Sequence, residues 1–298
     1  MDYHNPVLLK ESVDGLNIRP DGVYVDVTFG GGGHSREILS RLGPEGKLVA
    51  FDQDADALQN SIEDPRFTLI HENFRFLKRF LRFNGFKEVD GVLGDFGVSS
   101  HQFDVAERGF STRFESELDM RMNQNDKLSA YQVVNEYPEG KLRQVFYQYG
   151  ELRTAPKLAR AIVSERKESP VATSNRLKEV LADFLPKNRE HKILAQIYQA
   201  IRIEVNQELD VLKEFLQQTD QVLKPGGRVS LISYHSLEDR LVKRYLRNGL
   251  FQGEPEKDIY GNFSVPFKKV GKLIVPSSEE VKKNNRARSA KLRIAEKI

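Results

Sequence analysis

The chain has 298 residues, 39% of them hydrophobic and 30% charged, with a formal net charge of +3. This is an ordinary globular balance, long enough for one large domain or for one domain carrying a second. No apolar run reaches the roughly 18 residues of a membrane span, the polar start lacks a signal-peptide pattern, and the absence of cysteine excludes disulfides, cysteine-ligated zinc, iron–sulfur clusters and thiolate nucleophiles.

A cytoplasmic protein with no membrane partner is expected. Residues 22–94 alternate strand and helix signals. Val23–Val27 is a short β-rich run, followed by a glycine cluster and a helix from Ser35 to about Leu42. Lys47–Phe51 is the next strand. Asp54 is placed to cap a helix with Ala55, Leu58 and Ile62 on one face. Phe67–Ile70 is a third strand, a helix follows from about Phe74 to Phe83, and Val89–Leu93 is a fourth strand ended by Gly94 and Asp95. This alternation indicates parallel βαβ units.

From about Arg108 to Asn206 the signals are helical. Leu158, Ile162 and Val163 have helical spacing, as do Ile193, Ile197 and Ile201. Strand signal resumes at Arg228–Ser233 after a turn predicted at Lys224-Pro225-Gly226-Gly227. Residues 250–285 look loop-rich, and Lys291–Ile294 alternates like a half-exposed strand. The economical reading is an open α/β sheet interrupted by a helical insertion. The core is expected at 1–107 and 207–298, with the inserted domain at 108–206.

The segment Asp26-Val27-Thr28-Phe29-Gly30-Gly31-Gly32-Gly33-His34-Ser35 follows a strand and opens a helix. Glycines there permit tight turning and close backbone approach to a ligand. A phosphate-binding P-loop needs Gly-Lys-Ser/Thr, but Gly33 is followed by His34. A dinucleotide fingerprint needs a third glycine where Ser35 stands. Asp26, Gly30 and Gly32 satisfy the methyltransferase spacing Asp/Glu-x-x-x-Gly-x-Gly. Asp52, 20 residues after Gly32, is positioned to accept hydrogen bonds from ribose hydroxyls.

Asp95, in Gly94-Asp95-Phe96-Gly97-Val98-Ser99-Ser100, lies at the expected carboxyl edge of the sheet. An exocyclic base amine is a poor nucleophile because its lone pair is delocalised into the ring. A hydrogen-bond acceptor on its N–H favours the pyramidal nitrogen that attacks, and positioning supplies the rest. Asp95 is a candidate acceptor, as are nearby backbone carbonyls; amine methyltransferases commonly place Asp/Asn-Pro-Pro-aromatic here, and this chain has the Asp without the Pro-Pro. Ser233–Arg240 offers Tyr234 as a stacking ring, His235 as a second catalytic candidate, and Ser236 as a helix N-cap.

These motifs, with His4-Asn5-Pro6-Val7-Leu8-Leu9, Ala106–Ser111, Leu118–Met122 and Arg286–Ser289, resemble the RsmH (MraW) family of bacterial small-subunit ribosomal RNA cytosine-N4 methyltransferases. The resemblance spans residues 4 to 296. It implies a class I, Rossmann-like S-adenosylmethionine-dependent core with a helical domain inserted after strand four. It places the cofactor against Gly32, Gly33, His34, Asp52, Phe74, Asp95 and Gln102, with Phe74 packed on the adenine. The implied partner is 16S rRNA at the decoding region of the small subunit, and a homodimer stays open. The sequence departs from the family pattern at His101, Ser116-Glu117, His191–Gln196 and Asn285.

Two basic segments suit an RNA partner. Residues 281–298 hold seven Lys/Arg against Glu296 alone. Lys141–Pro170 holds seven Lys/Arg against three Glu, with Phe146, Tyr147 and Tyr149 interleaved. The alternatives are an NAD-type oxidoreductase, disfavoured by the missing third glycine, and a non-catalytic ribosome-assembly factor, disfavoured by Asp95. The absence of cysteine also disfavours methylation of a pyrimidine ring carbon.

Overall fold

The structure is a computed structural model describing residues 6–256, 260 and 264–298. His4 and Asn5, which open the first quoted motif, lie outside the described residues. Contacts divide the chain into two compact units. One takes the residues up to Gly97 and from Leu209 onward, and the other takes Val98–Glu208.

The first unit begins with α1 (Leu9–Gly15), β1 (Val23–Asp26), α2 (Gly33–Arg41), β2 (Lys47–Asp52), β3 (Phe67–His71), α3 (Leu77–Phe83) and β4 (Val89–Asp95). Leu48, Val49, Ala50 and Phe51 are all buried, as befits a parallel strand covered on both faces. β4 runs beyond Leu93, because Gly94 and Asp95 pair with Leu231 and Ile232. Asp54 does cap the next turn, accepting the Asp56 N–H at 3.1 Å. That turn is a 3₁₀ helix over Ala55–Asn60, and its tighter winding turns Ala57 rather than Leu58 inward. Ile62 lies past its end.

The second unit is helical: α4 (Ser100–Asp104), α5 (Ala130–Glu136), α6 (Glu139–Gln148), α7 (Ala155–Glu165), α8 (Ser174–Leu181) and α9 (Glu190–Asn206). Leu142, Phe146, Leu158, Ile162, Ile197 and Ile201 are fully buried in one cluster, so the helical spacing of these positions reflects a core of its own. Among the described residues of this unit, the β pairing is a single bridge between Glu117 and Thr173.

The chain continues through α10 (Glu208–Val222), β5 (Leu223–Ser233), α11 (Ser236–Asn248), β6 (Phe267–Ile274), α12 (Ser278–Lys283) and β7 (Lys291–Lys297). The predicted turn at Lys224–Gly227 is absorbed into β5 as an irregularity: Val89 faces Leu223, then Gly91 faces Arg228. Residues 250–285 are not all loop, since they contain β6 and α12. β6 is an edge strand with Lys268, Lys269 and Lys272 exposed, so it lacks the apolar alternation that marks a buried strand.

The seven strands lie in the order β3-β2-β1-β4-β5-β7-β6. β7 is antiparallel to both its neighbours. Part of the basic C-terminal segment is therefore sheet. Lys291 and Arg293 hold Asp239 at 3.3 and 2.8 Å, and Lys297 donates to the Leu223 carbonyl at 2.7 Å. Lys282, Lys283 and Arg288 remain exposed. No helix among the described residues is long and apolar enough to cross a membrane.

Candidate active site

Strand order reverses between β1 and β4, which are neighbours in the sheet. Ligands of open α/β sheets bind outside the carboxyl ends of strands at such a switch point. Three strands end there in aspartate: Asp26 on β1, Asp52 on β2 and Asp95 on β4.

Asp26 is fully buried. Its Oδ2 accepts the Ser35 hydroxyl at 2.7 Å and its Oδ1 accepts the Thr28 N–H at 3.1 Å. Burial pushes this carboxyl above its ordinary range, while His34 and these hydrogen bonds pull against that rise. The Thr28 hydroxyl oxygen in turn accepts the Asp95 N–H at 2.7 Å. The end of β1, the start of α2 and the end of β4 are thereby stitched together.

The glycine loop uses its conformational freedom at Gly30 and Gly32, with φ of 50° and 75°. The Gly30 N–H donates to Asp52 Oδ2 at 2.7 Å, and the Asp54 N–H donates to Asp52 Oδ1 at 2.9 Å. Burial nevertheless pushes the Asp52 carboxyl up to about 6. A Cβ on Gly33 would lie 2.2 Å from Pro6 Cγ, and one on Gly32 would lie 2.7 Å from Arg36 Nη1. A Cβ on Gly30 would meet nothing within 4 Å. The loop is thus closely packed at Gly32 and Gly33 and open at Gly30, beside the Asp52 carboxylate.

His34 is buried on the first turn of α2. Its Nδ1 lies 4.0 Å from Asp95 Oδ2, and its Nε2 lies 3.3 Å from the Val7 carbonyl. Asp95 Oδ1 accepts the Tyr234 hydroxyl at 2.7 Å. Desolvation pushes the Asp95 carboxyl up to about 6, with His34 and the Tyr234 bond opposing it. Burial and the Asp95 charge together push the Tyr234 phenol well above its ordinary value.

His235, rather than Ser236, is the N-cap of α11. Its Nδ1 accepts the Glu238 N–H at 3.4 Å, while Glu238 Oε2 accepts the backbone N–H groups of Tyr234 and His235 at 2.9 and 3.3 Å. The ring is engaged in ending β5 and starting the helix. Tyr234 is the residue of this motif that touches Asp95. The sequence pointed to that sheet edge but suggested a stacking ring, because a hydrogen bond across two strands has no local signature.

Phe74 begins a 3₁₀ turn after β3 and is partly buried. It packs edge-on against Phe215 at 5.3 Å and tilted against Phe96 at 5.9 Å. Gln102 belongs to the second unit. It is buried, and its Oε1 accepts the Ser99 N–H at 3.1 Å while its own N–H donates to Ser99 Oγ at 3.1 Å, which caps α4.

Within the second unit, the departure at Ser116-Glu117 is accommodated locally. The Ser116 N–H donates to Ser174 Oγ at 3.0 Å, and Glu117 pairs with Thr173. Phe146 proves to be core rather than a surface aromatic. Tyr147, Arg143, Arg153, Lys157 and Arg160 are exposed. Arg166 instead donates to the Val134 and Tyr137 carbonyls, both at 2.7 Å.

The sequence matches the MraW methylase family over residues 1–298. It is 74% identical to the ribosomal RNA small subunit methyltransferase H of Christiangramia forsetii, covering 100% of this chain and 99% of the relative. It is 72% identical to the protein of the same name in Flavobacterium johnsoniae over 100% and 99% of the two chains. Among solved structures, TrmN from Thermus thermophilus is similar at 16% identity and a TM-score of 0.44, over 98% of this chain and 48% of that one.

Proposed function

The chain belongs to the MraW methylase family, and from that premise we propose that it methylates the exocyclic N4 of a cytosine in 16S ribosomal RNA, in the decoding region of the small subunit. It is an S-adenosylmethionine-dependent methyltransferase of small-subunit ribosomal RNA. The finer reading rests on the carboxylate of Asp95 at the carboxyl end of β4, held by Tyr234 and close to the glycine loop through Thr28.

The residues present fit the cofactor. Open space beside Gly30 admits a ligand against the backbone, and Asp52 stands at its side with lone pairs free for ribose hydroxyls. Gly32 caps α2 without a side chain, so Gly32, Gly33 and His34 present the helix start to the carboxylate of an amino-acid moiety. Phe74 supplies an aromatic surface for the adenine. When bound, the cofactor supplies an electrophilic methyl group on sulfonium sulfur.

Asp95 accepts a hydrogen bond from the cytosine amine and holds its nitrogen ready for attack. Tyr234 fixes the rotamer of that carboxylate. The target base leaves its stack to reach Asp95. The second unit recognises RNA backbone through Arg153, Lys157 and Arg160. His235 serves by positioning Tyr234 at the end of β5. The proton lost from the amine passes to Asp95 or to water.

The test is transfer of labelled methyl from S-adenosylmethionine to small subunits that lack the modification, followed by nucleoside analysis. N4-methylcytidine is the expected product. Label in another nucleoside, or none, overturns the assignment.

A further inference from the structure

Residues 74–87 read Phe-Arg-Phe-Leu-Lys-Arg-Phe-Leu-Arg-Phe-Asn-Gly-Phe-Lys: five Phe, five Lys/Arg and no acidic residue. The core uses only part of this stretch. Leu77 and Leu81 are fully buried and anchor α3. Phe83 is 85% exposed and Phe76 is 40% exposed. Both rings face one open groove, together with Phe80.

The surrounding charge is one-sided. Arg75 is held by Glu214 at 2.6 Å and lies over the Phe76 ring at 5.9 Å. Lys78 donates to Gln221, a neutral partner, at 2.6 Å. Arg79 lies over the Phe80 ring at 5.8 Å. Arg79, Arg82 and Lys87 are exposed, and none of the three forms an ion pair among the described residues. Arg79, Arg82, Phe76, Phe80 and Phe83 line an open groove of about 860 Å³, with Gln218 of α10 as its other wall.

Flat π faces interleaved with unpaired cations match a single nucleic-acid strand. Bases stack on Phe and Arg planes while phosphates neutralise the cations. An anionic membrane surface offers the same charge, but α3 has seven residues, too short for the amphipathic helices that lie in an interface. We propose that the exposed face of α3, centred on Phe83, Arg79 and Arg82, is a second RNA-contact surface. It holds a single-stranded segment of the ribosomal RNA other than the one presented to Asp95. This rests on the reading of the chain as an RNA methyltransferase. It assigns the face a role in substrate affinity and none in the chemical step.

The probe is a fluorescent 20-nucleotide single-stranded RNA of mixed sequence, titrated with full-length protein by anisotropy across a salt series. Two variants are compared with the parent: Arg79→Gln/Arg82→Gln/Lys87→Gln and Phe83→Ala. Their unfolding midpoints and S-adenosylmethionine affinities should match the parent, since all four side chains are exposed. The triple variant should bind RNA roughly ten-fold or more weakly, with the slope of log K against log salt lowered by about 2. Phe83→Ala should weaken binding by about five-fold or more.

With small subunits as substrate, both variants should raise KM and leave kcat unchanged. Parent-like RNA affinity and salt slope in the triple variant overturn the proposal, as does a parent that does not bind the RNA at all. So does a loss confined to phosphatidylserine vesicles. Absence of methyl transfer by the parent, with RNA binding still dependent on this face, would sink the enzymatic reading and leave the surface standing.

Discussion

The hydroxyl of Tyr234, at the end of β5, donates a 2.7 Å hydrogen bond to Oδ1 of Asp95 at the end of β4. Asp95 Oδ2 meanwhile faces His34 Nδ1 at 4.0 Å. A carboxylate held from both sides and still raised to about 6 is ionised at neutral pH yet remains a good acceptor. That is the state in which it can receive an N–H from an amine.

Methyl transfer should therefore rise with pH through about 6 as Asp95 ionises. Tyr234→Phe removes a contact that favours the charged form, so the midpoint should move upward by about one pH unit. The pH dependence of kcat/KM checks this. An unmoved acidic limb would mean that another group controls it.

Asp95→Asn should reduce kcat by about 100-fold or more, within the range of a positioned acid–base group. Single-turnover methylation with saturating RNA separates this loss from any change in cofactor affinity. A kcat within a few-fold of the parent would remove Asp95 from the reaction.

Asp52 and Asp95 also link stability to pH. Both folded values are raised to about 6 from 3.8, so burying their charged forms opposes folding. The stability they contribute is complete below about pH 4 and is lost as pH rises through about 6. Between those values these groups, with Asp26 raised beside them, draw stability from the cofactor-free protein, and Asp95→Asn should lose less unfolding temperature across the window than the parent. Thermal melts across that window decide the matter, and identical slopes would contradict it.

The glycine loop separates packing from binding. Gly33→Ala forces a methyl group to within 2.2 Å of the Pro6 ring and should destabilise the protein by about 1–3 kcal/mol. Gly30→Ala meets no neighbour but keeps a left-handed residue, costing about 1 kcal/mol. Its methyl enters the open space beside Asp52, so S-adenosylmethionine affinity should fall by ten-fold or more. Calorimetric titration and thermal melts on both variants test this contrast.

In the second unit, replacing Arg153, Lys157 and Arg160 by Gln should weaken RNA binding and lower its salt slope by about 2. Arg160 lies 3.8 Å from Glu139 and is 80% exposed in its side chain, so little folded-state energy is lost with it. Unchanged affinity would make these three a solvated helix face.

Local pattern carried much of this protein. Lys47–Phe51 reads as a strand from five residues alone, Asp54 as a cap from its place before Ala55, and Gly30–Gly33 as a tight turn into a helix from the absence of side chains. Each is decided by backbone sterics or by burial within a few residues. Tertiary structure decided the rest. Tyr234 is 139 positions from Asp95, and Gly30 is 22 from Asp52. His235 instead of Ser236 caps α11 because Glu238 reaches back to two N–H groups at once. β6 stayed hidden because an edge strand facing water needs no apolar period, and it became a strand only when β7 offered its free backbone groups. Hydrogen-bond partners across a sheet are chosen by strand order and register, which no run of neighbouring residues encodes.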